Sequence, residues 1–143
     1  MTEPLNEATG SFCIRRLEEI GAARQWLRSE LEAHRYSRHD TFAIRLAFEE
    51  AVANAVTHGN KGDPAKTVTV DLVVDDGKVQ MTICDEGPGF DYSHLADPTA
   101  GSNIMKESGR GVMLIRAFMD DISFDSPGNC ARLVKYRSEK PPT

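Results

Sequence analysis

The sequence predicts an α+β fold, a two-layer sandwich in which a mostly antiparallel β-sheet carries helices on one face. Three observations predict it. Apolar residues alternate along "TVTVDLVV" and "VQMTICD" on either side of the turn signal "DDGK", the pattern of a β-hairpin. A second pair of runs, "DISFDS" and "CARLVKYR", flanks the turn "PGN". Before and between these hairpins, apolar residues recur at three- and four-residue steps, the period of amphipathic helices. Strands grouped in hairpins, with helices between the groups, give an α+β arrangement.

Each element has its own justification. "SFCIRR" (11–16) reads as a short first strand. From Leu17 to about His34, the residues Leu17, Ile20, Ala23, Leu27 and Leu31 mark one face of a first helix. "YSRHDT" interrupts it, with Asp40 as candidate cap of a second helix that runs to His58. Gly59 stands where a left-handed helix stop is usual, and "NKGDPAK" is a loop by composition. On the second strand of the first hairpin Val79, Met81, Ile83 and Asp85 share a face, so a carboxylate ends an apolar row. Residues 91–109 are polar, glycine-containing and without period, as in a mobile loop. "RGVMLIRAFMD" follows as a third helix, with Val112, Ile115 and Met119 toward the core.

The 143 residues suit one domain spanning 1–143, with 1–10 and 138–143 expected as flexible tails. Hydrophobic content of 40% and charged content of 27% are those of an ordinary globular protein. Acidic residues outnumber basic ones, 22 to 17, for a net charge of −5. That balance argues against a general binder of nucleic acid or anionic membrane, which needs excess positive charge. The opening "MTEPLNEATG" lacks the basic start and apolar run of a signal peptide, and no apolar run approaches bilayer length. A cytoplasmic location is expected. Cys13, Cys84 and Cys130 are scattered and odd in number, which suggests buried reduced thiols rather than a disulfide frame or zinc site.

Three stretches carry candidate chemistry. In "EEAVANAVTHGN" (49–60), Glu50, Asn54 and His58 are spaced to stack on one helical face, aiming a carboxylate, an amide and an imidazole at one place. A solvated polar stripe would look the same. In "CDEGPGF" (84–90), Asp85 at a strand end can accept a hydrogen bond from an exocyclic amine such as that of adenine. Gly87 and Gly89 after it let a ligand come close, although a plain tight turn also fits. In "SGRGVMLI" (108–115), glycines open a helix whose free N–H groups suit phosphate, and a simple glycine-rich loop is the alternative.

Taken in order, these stretches resemble the ATP-binding domain of the GHKL superfamily, shared by gyrase, the heat-shock chaperone, histidine kinases and the mismatch-repair protein. The helix ending "NAVTHGN", then "DEGPGF", "SGRGVMLIRAFMD" and "GNCARLVKY", is most similar to the small bacterial anti-sigma factors that are also serine kinases. The likeness covers about residues 40 to 137. It implies the Bergerat ATP-binding fold and, as cofactors, ATP and Mg2+. Under it Asn54 would coordinate the magnesium, and Glu50 would be the general base for the accepting serine. Asp85 would hold the adenine amine, with Gly87 and Gly89 shaping the pocket. Residues 91–109 would form a lid, and Ser108, Gly109, Arg110 and Gly111 would meet the phosphates. His58 stands where many relatives keep a basic residue near phosphate, and equally where a helix-end histidine bonds the last carbonyls.

The resemblance further implies a sigma factor and an anti-anti-sigma (antagonist) protein as partners, with no direct nucleic acid and no membrane. It implies a homodimer, with the partner surface on the early strand and helices. Two positions depart from the pattern. Glu107 stands where some kinases have arginine, which bears on the phosphate contacts. Gly128-Asn129 replaces a common Gly-Thr, which bears on a hydroxyl contact. A serine kinase that sequesters a sigma factor is thus expected, beside a second reading of nucleotide-dependent binding without phosphotransfer.

Overall fold

The computed structural model describes residues 7–87, 110–125 and 129–138, with only the backbone of 110–112. The expected lid (91–109) and the positions Gly89, Ser108 and Gly109 lie outside the described residues. In chain order the elements are β1 (Ala8–Ile14), a 3-10 turn (Leu17–Ile20), α1 (Gly21–Ala33), α2 (Arg38–Asn54) and a π turn (Ala55–Gly59). They continue with β2 (Val68–Val74), β3 (Lys78–Cys84), α3 (Arg110–Phe118), β4 (Asp121–Phe124) and β5 (Cys130–Tyr136).

The five strands form one sheet in the order β1-β2-β3-β5-β4, every neighbouring pair antiparallel. The alternation read in "TVTVDLVV" and "VQMTICD" is the alternation observed. Val68, Val70, Leu72, Val74, Val79, Met81 and Ile83 are all buried, with polar or half-buried residues between them. Asp75 closes the hairpin: its Oδ1 accepts the N–H groups of Gly77 at 2.7 Å and Lys78 at 2.8 Å. That asparagine-like turn chemistry, not a left-handed glycine, shapes it, since Gly62 is the only positive-φ glycine among the described residues.

Against the buried face of the sheet pack Ala23, Leu27 and Leu31 of α1, Ile44, Ala47, Phe48 and Val52 of α2, and Ile115 of α3. These join one hydrophobic cluster with the sheet residues, so the fold is a two-layer α+β sandwich. Phe48, 1% exposed, lies in the middle of that layer. Truncating such a side chain to alanine costs about 3–5 kcal/mol. The other face, with Thr69, Asp71, Thr82 and Arg132, is left open to solvent or half-covered.

Several expectations are corrected. β1 begins at Ala8, so residues 8–10 belong to the sheet and not to a tail. Pairing with β2, Ala8 against Val74 and Gly10 against Leu72, holds residues of weak strand propensity in place. Leu17 is 40% exposed and stays outside the core, which begins at Ile20 at the other end of the 3-10 turn. Ser37, not Asp40, caps α2: its hydroxyl accepts the Asp40 N–H at 3.0 Å. Asp40 is fully buried and accepts the backbone N–H of Ser138 at 2.9 Å and the Ser138 hydroxyl, with Lys135 Nζ at 3.8 Å. Ser138 is therefore anchored as well, and is no part of a loose tail.

Gly59 does not adopt the left-handed conformation. The left-handed residues after the helix are Lys61 and Gly62, and α2 widens into the π turn before them. The thiols are corrected too. Cys84 and Cys130 form a disulfide and Cys13 is exposed. The sheet register sets Cys84 directly opposite Cys130, a pairing hidden by a separation of 46 residues.

Candidate functional site

The end of α2 and the end of β3 converge on one pocket. Asn54, the last residue of α2, and Asp85, the first beyond β3, both line it. Its walls are largely apolar, from Ala51 and Ala55 on the helix side, Ile83 and Ala131 on the sheet, and Ile115 and Phe124 beyond. Glu50 lies one turn up the same helix as Asn54 and is half-buried, but it is not among the lining residues. His58 is not either. Bonding in a π turn runs from residue i to i+5, so four residues there fall short of a full turn and His58 leaves the line of Glu50 and Asn54.

Asp85 is held mainly through its backbone. Its N–H donates to the Asn129 carbonyl at 2.8 Å, and its own carbonyl accepts the Asn129 side-chain amide at 3.2 Å. Its carboxylate Oδ1 accepts the Gly87 N–H at 2.8 Å. Burial pushes the carboxyl above the ordinary carboxylate range. The Gly87 hydrogen bond pulls the other way, nearby Asp125 raises it further and Lys66 lowers it. A carboxylate so desolvated, with one amide for support, is a strong acceptor for an N–H donor entering an apolar-walled pocket.

Glycines make the convergence possible. A Cβ on Gly59 would collide with the Asp85 carboxylate, and one on Gly87 would collide with the Gly59 carbonyl. Gly59 thus serves close approach rather than a helix stop, and the π turn is the local form that brings it there. Beside it, buried Asn60 ties three segments together. Its side chain donates to the Thr67 carbonyl at 3.1 Å and accepts the Glu86 N–H at 2.7 Å, while Glu86 accepts the N–H and hydroxyl of Thr67 at 2.7 and 2.6 Å. Sequence reasoning gave no role to Asn60, Glu86 or Asn129. The one available signal was an asparagine directly after the helix-ending glycine. Asn129, flagged as a departure, holds the strand end that carries Asp85.

The structure thus brings Asn54 and Asp85 together in the pocket lining, with Gly87 bonded to Asp85 beside it, and leaves Glu50 and His58 at the margin. Of the residues expected to meet phosphate, Arg110 and Gly111 open α3, and only their backbone is among what is described. No cluster of three or more His, Cys, Asp or Glu exists among the described residues. The donor set at the pocket, an amide oxygen of Asn54, suits a hard cation whose other ligands come from phosphate and water rather than a protein cage. No described helix is long and apolar enough to cross a membrane.

The family model for the histidine kinase-like ATPase domain matches residues 14–135. An anti-sigma F factor of Bacillus cytotoxicus is 34% identical over 100 residues, which cover 66% of this chain and 68% of that protein. That of Bacillus subtilis is 35% identical over 101 residues, 67% of this chain and 69% of the relative. The Geobacillus stearothermophilus protein of that name is 33% identical over 88 residues, 60% of each chain. The matched segment includes all three stretches singled out above, and the five-stranded sheet with helices on one face suits it. The chain belongs to the histidine kinase-like ATPase domain family, with anti-sigma factors among its relatives.

Proposed function

We propose that this protein is an anti-sigma regulator that binds ATP and phosphorylates a serine of an antagonist protein. The observation that carries the reading is the meeting of Asn54 and Asp85 in one apolar-walled pocket, with Glu50 one helical turn, about 6 Å along the axis, from Asn54. Asp85 accepts the adenine amine, and Gly87 and Gly89 allow the base to lie close. Asn54 would hold Mg2+, which supplies charge neutralisation at the nucleotide phosphates. Ser108, Gly109, Arg110 and Gly111 meet those phosphates at the start of α3. Glu50 takes the proton from the accepting serine hydroxyl, the part a carboxylate plays in phosphoryl transfer. His58, turned out of line, is assigned no part in transfer. Sequestering a sigma factor needs a surface and no base, so that function is separable.

The position of Glu50 off the pocket lining favours a second reading, a nucleotide-dependent binder without transfer. One experiment divides them. Glu50→Gln keeps the shape and removes the base, so ATP and sigma-factor binding are retained while single-turnover phosphorylation slows by roughly 10²–10⁴. Transfer at the parent rate removes Glu50 as the base. If the parent binds ATP but phosphorylates no candidate antagonist, the binder reading stands instead. If it binds ATP and GTP equally, the role of Asp85 falls.

A further inference from the structure

The disulfide lies next to two residues that line the pocket. Cys84 immediately precedes Asp85 and Cys130 immediately follows Asn129, the two residues joined by backbone and side-chain hydrogen bonds at the pocket floor. Because Asp85 and Asn129 form the hydrogen-bonded pair, Cys84 and Cys130 form the neighbouring non-hydrogen-bonded pair, where side chains come nearest. Their Cα atoms are 4.0 Å apart, inside the roughly 4.5 Å usual for such a pair. Cys130 is also clasped to Asp125: its N–H donates to the Asp125 carboxylate at 3.0 Å and its carbonyl accepts the Asp125 N–H at 3.1 Å, and Asp125 is one of the charges acting on Asp85. Both cysteines are half-buried and sit on the sheet face that the helices leave open.

We infer that Cys84 and Cys130 are a reversible thiol–disulfide site whose oxidation state sets how firmly Asp85 and Asn129 hold the pocket. The inference rests on the nucleotide reading for its consequence, though not for its chemistry. In the oxidising direction one cysteine thiolate attacks a sulfur of a low-molecular-weight disulfide and expels a thiolate. The second cysteine thiolate then attacks the mixed disulfide and expels the other. Two protein thiols are oxidised by two electrons, the small disulfide is reduced to two thiols, and the two cysteine protons end on the departing sulfurs. In the reducing direction a dithiol reverses both steps. Once the bond is gone, the strand ends relax toward ordinary spacing, and the Asp85–Asn129 pair loses its lateral support. Because coupling between two sites is reciprocal, bound nucleotide resists reduction by the same factor.

The test uses the full chain with Cys13→Ser, since Cys13 is exposed and lies in the same cross-strand row, one strand beyond Thr69. Samples equilibrated with oxidised glutathione or with dithiothreitol are compared by alkylation and mass spectrometry, calorimetry with Mg-ATP, and amide exchange. The expected result is a disulfide that forms and reverses, ATP bound roughly fivefold or more weakly after reduction, and faster exchange at the Asp85 N–H. A variant that also carries Cys84→Ser and Cys130→Ser behaves as the reduced protein under both conditions. ATP should shift the midpoint of reduction by about 20 mV for a fivefold coupling in this two-electron couple. Equal ATP affinity and equal exchange in the two states, or no disulfide after oxidation, overturns the inference. If neither state binds ATP, the proposed function fails, and exchange at Asp85 alone decides the redox site.

Discussion

Two aspartates lie at opposite ends of the same helix–sheet interface, and they are provided for differently. Asp40, in the first turn of α2, is wholly buried and surrounded by groups of its own chain: the Ser138 N–H and hydroxyl, and the Lys135 ammonium. Asp85, near the last turn of α2, is half-buried, has one amide on its carboxylate and is raised above the usual carboxylate range chiefly by burial. A buried charge whose partners are complete holds a structure together. One whose partners are incomplete costs stability and stands ready for a ligand. Under the proposed function, the difference separates a structural end of the molecule from a working end.

The comparison can be broken by substitution. Asp40→Ala leaves Ser138 without its acceptor and takes from Lys135 its buried carboxylate, leaving Asp120 at 3.6 Å and the Ser138 hydroxyl at 3.5 Å. A loss of about 3 kcal/mol in urea unfolding is expected, within the range for breaking a buried pair, with ATP affinity of the folded fraction unchanged. If Asp40→Ala unfolds no more easily than the parent, Asp40 is not the structural partner described. Asp85→Asn should do the reverse. Calorimetry should show ATP binding weakened by about tenfold to a hundredfold, the worth of a hydrogen bond to a charged group.

Stability then supplies the sharper sign. A carboxyl whose folded pKa is raised costs the parent stability as pH rises from about 4, the unfolded value, through the folded one. The melting-temperature difference should therefore move in favour of Asp85→Asn over that rise and level off above it. A difference moving the other way would mean that Asp85 is satisfied after all.

Gly59→Ala tests the same end by steric means. Its methyl meets the Asp85 carboxylate, so overpacking of roughly 1–3 kcal/mol is expected. ATP affinity falls along with the melting temperature because the carboxylate is displaced. Unaltered ATP binding in this variant would uncouple Gly59 from Asp85. The smallest effect belongs to neither end. Arg24 bridges α1 to Glu49 of α2 through two bonds of 2.6 and 2.9 Å, but both side chains are over a third exposed. Arg24→Ala should cost no more than about 1 kcal/mol, and less at high salt. A larger loss in thermal unfolding would show that the interface between the helices matters more than either aspartate suggests.

The working end was more legible in the sequence than the structural end, and the reason is physical. Asp85 ended an apolar alternating row, a local pattern that survives without tertiary knowledge, and Asn54 followed from helical periodicity. Asp40 could be read locally only as a cap, because its partner Ser138 is 98 residues away. The Cys84–Cys130 pairing needed the sheet register, which no local pattern fixes, since β3 and β5 are separated by a helix and another strand. The π turn is set by the approach of Gly59 to Asp85, a contact between two elements, so α-helical spacing carried His58 one step too far.

Strand order has a further consequence for the growing chain. Among the described strands β5 is made last, yet it occupies an interior slot between β3 and β4. Until residues 129–138 leave the ribosome, β3 has a bare edge and β4 lacks its only strand partner among the described residues. Asp40 lacks Ser138, and the ring of Tyr36 lacks the Arg137 guanidinium that lies 4.3 Å above it. That guanidinium also donates to the carbonyls of His34, Arg35 and Asp76, so the end of α1 and the first hairpin both wait for it. The pocket waits as well, because Asn129 arrives with the same segment. A nascent chain therefore acquires its structural end, its shielded sheet edge and the Asn129 side of its pocket together, when residues 129–138 emerge. Before then it carries an unpaired edge strand, the state in which chains of this kind are most open to aggregation.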